Sequence, residues 1–363
     1  MDIRRGYYRM SSIIWHEDTV PTERQPTQLH ETWHRQHVFD SCSNGKVLLA
    51  VVTALSIAHL CRSNLPSVKT LRKIAVHPCN CSRLLHVKEE KLSPSIPSDS
   101  SIILQSSCSD LSTARGPGQK VVSYSLYGSF PSEYYEGFLK QLPRVKEAYK
   151  EWTVRVYLDL TSEDVREWAC SVACDNQHLD LCDVKAIPGI GDISDSGGTA
   201  WRFMVVGDAL VDQYIVRDTD SPIIQRELDA VQEWFHSGKC FHVMRDHYNH
   251  RVSMMGGMWG GCNAKPFRLL QDIRKNLIEH TTHEKVDQQI LQEYMWPVVK
   301  KDVIMHDSYL CELFPGSLPF PSKRVNLTFV GMRSYRELFM GDNVETPCPV
   351  ECRPPNHKDW EYC

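Results

Sequence analysis

The stretch DQYIVRDTDSPIIQRELDAVQEWFHSGKCFHVMRDHYNHRVSMMGGMWGG, residues 212–261, decides how the rest of the chain is read. Tyr214-Ile215-Val216 is an apolar run too short for a helix and reads as a buried strand. It ends in Asp218-Thr219-Asp220. Side chains two apart on extended backbone share a face, so both carboxylates can aim at one point. Two hard oxygen ligands at the carboxyl end of a buried strand suit Mg²⁺ or Mn²⁺, and such a cation can carry a substrate's phosphates. Open α/β sheets bind ligands at that end of their strands. Ser221-Pro222 then opens an amphipathic helix, with Ile224, Leu228, Val231, Trp234 and Phe235 at helical spacing and Gly238 at its end.

An Asp-x-Asp triplet alone also fits a solvated loop start, and its surroundings carry the rest of the case. Arg217 precedes it, and Cys240, His242, Arg245, Asp246, His247 and His250 follow closely. The run Gly256-Gly257-Met258-Trp259-Gly260-Gly261 sets glycines, which let backbone approach a ligand, around an aromatic platform. Gly257, Trp259 and Gly260 are therefore expected at the bound ligand.

Working outward, Val121–Gly128 reads as a first strand, Tyr134–Trp152 as a helix and Thr153–Asp159 as a second strand. A helix over Ser162–Cys174 with Ser162 as its cap, a strand near Leu181–Ile187 and a glycine-rich loop, Gly189–Gly198, come next. Trp201–Val206 leads into the acidic strand. Beyond it, Lys265–His280 and Asp287–Trp296 read as helices, the second stopped by Pro297, and Val303–Ser308 as a strand delivering His306 into a loop. Alternating strand and helix predicts a layered α/β domain around a mostly parallel sheet, over residues 119–332.

The ends differ in character. Residues 1–45 are polar without a period and predict a disordered tail. Val47–Cys61 is an apolar run between Lys46 and Arg62, shorter than the roughly 20 residues of a typical span. Its length and depth in the chain fit a short signal anchor, residues 46–62, suited to a thin early-secretory membrane. Arg62, Lys69, Arg72 and Lys73 outnumber Arg35 and Lys46, which alone would put the amino terminus outside. The acceptor sequons at Asn80 and Asn326 favour the opposite orientation, with the following domain lumenal in the Golgi or endoplasmic reticulum; a cytoplasmic domain is the alternative. Residues 63–118, rich in Ser and Pro, read as a flexible stem, and 333–363 as a Cys- and Pro-rich tail that wraps the surface. Twelve Cys follow the apolar run, an even number compatible with disulfides. A net charge of −4 on 363 residues gives no support to a nucleic-acid partner.

Taken in order, VVSYSLYG, WTVRVYLD, WRF, VRDTDS, AVQEWFHSGKCFHVMRDHYNH, GGMWGG, DQQIL and IMHDSYLCELFPGSLPFP resemble a poorly characterised family of capsular-polysaccharide-synthesis-like proteins, glycosyltransferases of the GT-A type. The resemblance covers roughly Val121–Met332. It implies a nucleotide-sugar donor, a glycan or glycoconjugate acceptor, and Asp218 and Asp220 as metal and nucleotide ligands, with His306 as a third ligand. Arg202 and Arg217 are candidates for the phosphates, with a structural ion pair as the alternative for Arg202. Asp246 and Asp287 are candidates for the carboxylate that deprotonates an acceptor hydroxyl if the enzyme inverts. Their structural alternatives are an ion pair with Arg245 or Arg217 for Asp246, and a first-turn helix acid for Asp287. Two other classes stay open at this stage. One is a GT-A-like module that binds without turnover. The other is a zinc hydrolase using Cys240, His242, His247 and His250, whose spacing matches no standard zinc pattern.

Overall fold

The computed structural model of the chain describes residues 104–263, 267–282, 287–333 and 344–363. The tail 1–45, the apolar anchor 46–62 and the Asn80 sequon lie outside the described residues.

Four strands have buried residues on both faces, the signature of a parallel sheet covered by helices. They are β1 (Gln119–Leu126), β2 (Thr153–Leu158), β3 (Leu179–Asp183) and β4 (Val211–Arg217). Alternation along β4 shows why. Tyr214 and Val216 enter a core shared with Phe203, Leu270 and Leu277, while Ile215 enters a second core on the other face with Phe138, Val231 and Trp234. Helices α2 (Glu133–Ala148), α3 (Glu163–Asp175) and α4 (Gln225–Ser237) cover that second face, after a short α1 (Asp110–Ala114) that precedes β1. Residues 221–224 form the turn before α4, which therefore starts later than Ser221-Pro222 implies. Gly238 ends α4 in the left-handed region, φ 69°, as a C-terminal glycine should.

Three more strands, β5 (Phe241–Arg245), β6 (Met258–Cys262) and β7 (Val303–Asp307), complete a seven-stranded sheet in the order β3-β2-β1-β4-β6-β5-β7. Only the two pairings of β6, with β4 and with β5, are antiparallel. The protein is thus a mixed α/β fold around a mostly parallel sheet. Chain order reverses its direction of travel between β1 and β4, which makes their carboxyl ends the topological switch point.

Two segments differ from the sequence reading. Met258–Cys262 is a central strand, not a ligand loop. Gly260 is needed because α4 and β4 approach it closely: a Cβ there would sit 2.8 Å from both the Trp234 ring and the Tyr214 carbonyl. Pro297 also fails to stop its helix. Helix α6 (Asp287–Ile290) widens into a π-turn, Leu291–Met295, and α7 (Trp296–Val299) restarts with Pro297 in its first turn, where no amide donor is required. Helix α5 (Phe267–His280) packs beside the segment Gly198–Val205, which is a 3₁₀ helix.

Both flanks of the domain are stitched to it. Ser107 donates from Oγ to Asp208 at 2.8 Å, and Cys108 is bonded to Cys182, so the last part of the predicted stem belongs to the fold. Cys311–Cys352 and Cys348–Cys363 tie the tail down.

Replacing Gly260 by Ala forces apart two packed elements, and overpacking of this kind costs about 1–3 kcal/mol. Chemical denaturation should show a loss in that range with unchanged ligand binding. A loss below the error of the measurement would mean that Trp234 does not press on β6.

Candidate functional site

A cleft of about 420 Å³ lies at the switch point. Strand β1 delivers Ser125 and Tyr127 to it, and the end of β4 delivers Asp218, Thr219 and Asp220. The 3₁₀ helix supplies Arg202, α6 supplies Asp287, and the β5–β6 connection supplies His247, Asn249, His250 and Gly256. Phe329 and Arg333 close it from the chain after β7.

Hydrogen bonds made early in the chain place Arg202. Ser123 and Ser125, two apart on one face of β1, grip its backbone: Ser123 Oγ donates to the Arg202 carbonyl at 2.7 Å, and the Arg202 amide donates to Ser125 Oγ at 2.8 Å. The guanidinium then reaches two acids. Nη1 contacts Asp218 Oδ1, and Nη2 donates to Asp287 Oδ2 at 2.9 Å. Asp220 instead meets Arg333, Nε to Oδ2 at 3.3 Å.

The two acids of the triplet titrate in opposite directions. Burial pushes the Asp218 carboxyl up, but Arg202, aided by Arg217 and Arg333, more than cancels this and holds it below its ordinary value. At Asp220 burial and the charge of Asp218 raise the carboxyl against the weaker pull of Arg333. Asp220 therefore carries negative charge that its surroundings compensate incompletely.

Gly257 lies directly under this pair. A Cβ there would run into the Asp218 carboxylate, and one on Gly256 would meet Asp287 and Arg202. Of the glycine-rich run, then, Gly256 and Gly257 shape the site. Gly260 does not, and Trp259 is fully buried between Phe203 and Tyr214, away from the cleft.

Three further residues are placed elsewhere. Arg217 is fully buried beneath the site, paired with Glu227 at 2.9 Å and donating to the Gly257 and Ser221 carbonyls. It supports the Asp218–Asp220 turn and touches no ligand space. His306 is fully buried on β7, where its Nδ1 meets His242 Nε2 at 2.8 Å and its Nε2 meets Glu233 at 3.1 Å. It does not line the cleft, because its side chain is turned to α4. Asp246 is saturated. Arg226, Arg324, Ser308 Oγ and the Val330 amide all donate to its carboxylate, so it has no lone pair left for a substrate proton. Its arginine partners are neither of the two expected from sequence. Arg245 pairs with Asp307 instead.

The zinc set also dissolves. Cys240 is bonded to Cys262, and His242 faces His306. Among the described residues no three His, Cys, Asp or Glu side chains converge on a metal position. All ten described cysteines are disulfide-bonded, Cys170 and Cys174 included.

Sequence reasoning missed Tyr127, Tyr134, Ser125, Thr199 and Arg333. The signal for the first was present: Tyr127-Gly128 ends the strand next to the acidic one, where the switch-point rule puts ligand contacts. Burial and the nearby Asp218 and Asp287 outweigh Arg202 and keep the Tyr127 phenol above its ordinary pKa, hence a hydrogen-bond donor at neutral pH.

No protein-family model matches the chain, and no curated protein matches it. Among solved structures it is similar to a glycosyltransferase involved in the glycosylation of the major capsid of PBCV-1. The identity is 11%, over 54% of this chain and 88% of that one, with a TM-score of 0.29.

Asp246 generates a stability prediction. Burial opposes its charge, but Arg226 and Arg324 lower its carboxyl below the ordinary value. A depressed folded pKa contributes stability that is present above the unfolded value near 4 and is lost as pH falls through the folded one. Asp246→Asn leaves two buried guanidiniums short of a counter-charge and should cost about 3–5 kcal/mol at neutral pH. The variant should also lose part of the acid limb of the stability curve. Equal stability at neutral pH would contradict the assignment of Asp246 as a structural anchor.

Proposed function

We propose that the cleft binds a nucleotide-sugar by its diphosphate and transfers the sugar to a glycan or glycoconjugate acceptor, on a GT-A-like fold. One observation carries this: Asp218, Asp220 and Arg202 converge at the switch point, in a cleft large enough for a small ligand.

The residues fit a divalent cation. Mg²⁺ and Mn²⁺ bind through one or two carboxylates plus substrate phosphates, so Asp218 and Asp220 suffice without His306, and the incompletely compensated charge at Asp220 is what a cation would satisfy. When bound, Mn²⁺ or Mg²⁺ would neutralise charge developing on the diphosphate leaving group.

The chain's own groups do the rest. Arg202, bridging Asp218 and Asp287, offers a planar fork that matches phosphate oxygens. A diphosphate that takes this fork releases both acids, Asp218 to the diphosphate end and Asp287 to accept the proton of an acceptor hydroxyl. Tyr127, with 45% of its surface exposed and its ring edge-on to Trp201, offers a face for the nucleoside.

The ten described cysteines, all bonded, with Asn326 exposed in its sequon, support a lumenal domain in the Golgi or endoplasmic reticulum. Among the described residues no helix is long and apolar enough to cross a membrane, and the proposed anchor, residues 46–62, would supply the attachment.

A thermal-shift screen of nucleotide-sugars with and without Mn²⁺ tests the proposal, since a ligand that binds only the folded state raises its melting temperature. Wild type should be stabilised by one nucleotide class in the presence of Mn²⁺. Asp220→Asn should fold with little change in stability, because it relieves acidic crowding, yet lose the nucleotide shift. Ordinary Mn²⁺-dependent binding in the folded variant would refute the proposal. Binding should also weaken on acidification sooner than an ordinary carboxylate allows, because Asp220 takes up its proton at raised pH. Gly257→Ala should give the same loss of binding by displacing Asp218, without the stability cost expected at Gly260.

A further inference from the structure

Part of the cleft wall is not used by the diphosphate chemistry. It consists of His247, His250 and Phe329. The His247 ring lies 4.6 Å from Phe329, 5.5 Å from His250 and 4.0 Å from Tyr248, centroid to centroid, and His250 lies 5.8 Å from Phe329. The rings are tilted or edge-on to one another, and His247, His250 and Phe329, each with 6–8% of its surface exposed, show the cleft only a narrow aromatic wall beside the charged half of the site.

The backbone fixes which proton each imidazole carries. The Asp246 amide donates to His250 Nδ1 at 3.2 Å, and the Asn249 amide donates to His247 Nδ1 at 3.1 Å. A backbone amide can only donate, so each Nδ1 bears a lone pair. Burial above all, with His247, Arg245 and Arg324 outweighing Asp246, pushes the His250 imidazole down to about 3, so it is neutral at physiological pH. A neutral ring with Nδ1 accepting has its proton on Nε2. His250 is therefore an N–H donor. It holds no lone pair for a metal and none for a substrate proton, which separates it from the zinc and general-base readings alike.

A neutral N–H donor beside an aromatic face suits a neutral polyhydroxyl ring: a hydroxyl oxygen accepts the N–H while the C–H face packs on Phe329. An anion gains no opposite charge there, and a cation meets a donor. Given a sugar-nucleotide cleft, as proposed above, we infer that His250 and Phe329, with His247, form a subsite for a pyranose ring. That ring can come from the acceptor or from the donor's own sugar, and the two sources behave differently in competition.

Saturation-transfer NMR with methyl β-D-glucopyranoside, methyl β-D-galactopyranoside and methyl α-D-mannopyranoside, run beside calorimetry with uridine and guanosine diphosphates, tests the subsite. At least one pyranoside should bind wild type. His250→Phe, which keeps ring shape but loses both nitrogens, and Phe329→Leu should each weaken that binding about tenfold, the factor for one lost hydrogen bond or ring contact. Diphosphate affinity should stay unchanged in both. Should His250→Phe not fold because the Asp246 amide loses its acceptor, Phe329→Leu carries the test. A pyranoside that binds alongside a complete nucleotide-sugar assigns the ring to the acceptor, and one displaced by the nucleotide-sugar but not by the diphosphate assigns it to the donor. Absence of pyranoside binding to wild type, or binding unchanged in the folded variants, overturns the inference. Pyranoside binding that depends on Phe329 in a protein with no diphosphate affinity would leave the subsite standing and remove the nucleotide-sugar reading.

Discussion

The fully buried ion pair between Arg217 and Glu227, 2.9 Å from nitrogen to oxygen, holds the site together. Arg217 is the last residue of β4, and Glu227 lies in the first turn of α4. The same guanidinium donates to the Gly257 carbonyl at 3.0 Å and to that of Ser221 at 3.3 Å. One side chain thus joins the acidic strand, the turn after it and the approach to β6. Burial pushes the Glu227 carboxyl up, and Arg217, which stays protonated throughout, pulls it only part of the way back. Removing either leaves an uncompensated charge in the interior, at a cost on the order of 3–5 kcal/mol. The consequence for function is positional. Asp218 and Asp220 owe their aim to an arginine that never meets a ligand.

The device recurs. Arg155 pairs with Asp208 at 2.7 Å, Arg245 with Asp307 at 2.7 Å, and Arg226 and Arg324 share Asp246. Each of these cations is paired with an acid inside the fold, Arg226 and Arg324 having one carboxylate between them. The guanidiniums that line the cleft, Arg202 and Arg333, are held by the acids that line it with them. Charge in the cleft is therefore exchangeable: an anionic ligand can take Arg202, and a cation can take Asp218, so released, together with Asp220. Interior pairs fix geometry, and cleft pairs are available for chemistry.

Much of this was legible in sequence for a definite reason. The alternation of Tyr214, Ile215 and Val216, the helical spacing of Val231 and Trp234, and the closing Gly238 are local patterns, and local patterns specify elements. The Asp-x-Asp at the end of a buried strand pointed to the candidate cleft, which both acids line, because strand direction and side-chain period need no tertiary knowledge. What sequence could not show was partnership across long separations. Asp246 looks like a free acid until Arg324, far along the chain, is brought to it. His306 looks like a metal ligand until α4 sets Glu233 beside it. Gly260 and Gly257 are three residues apart in one motif, yet one accommodates Trp234 and the other Asp218. Motif composition predicted close approach at both, but the identity of the approaching group is a property of the fold. Pro297 shows the converse: a strong local rule was overridden by a π-turn that moved the proline to a first-turn position.

The measurement that bears most directly on the central claim is a crystal structure of the protein soaked with a nucleoside diphosphate and Mn²⁺. The diphosphate should lie at the carboxyl ends of β1 and β4, against Arg202, with the cation on Asp218 and Asp220. Ligand density confined to another cavity, such as the one between residues 189–196 and α5, would contradict it, as would a diphosphate bound in the cleft with both acids still paired to their arginines.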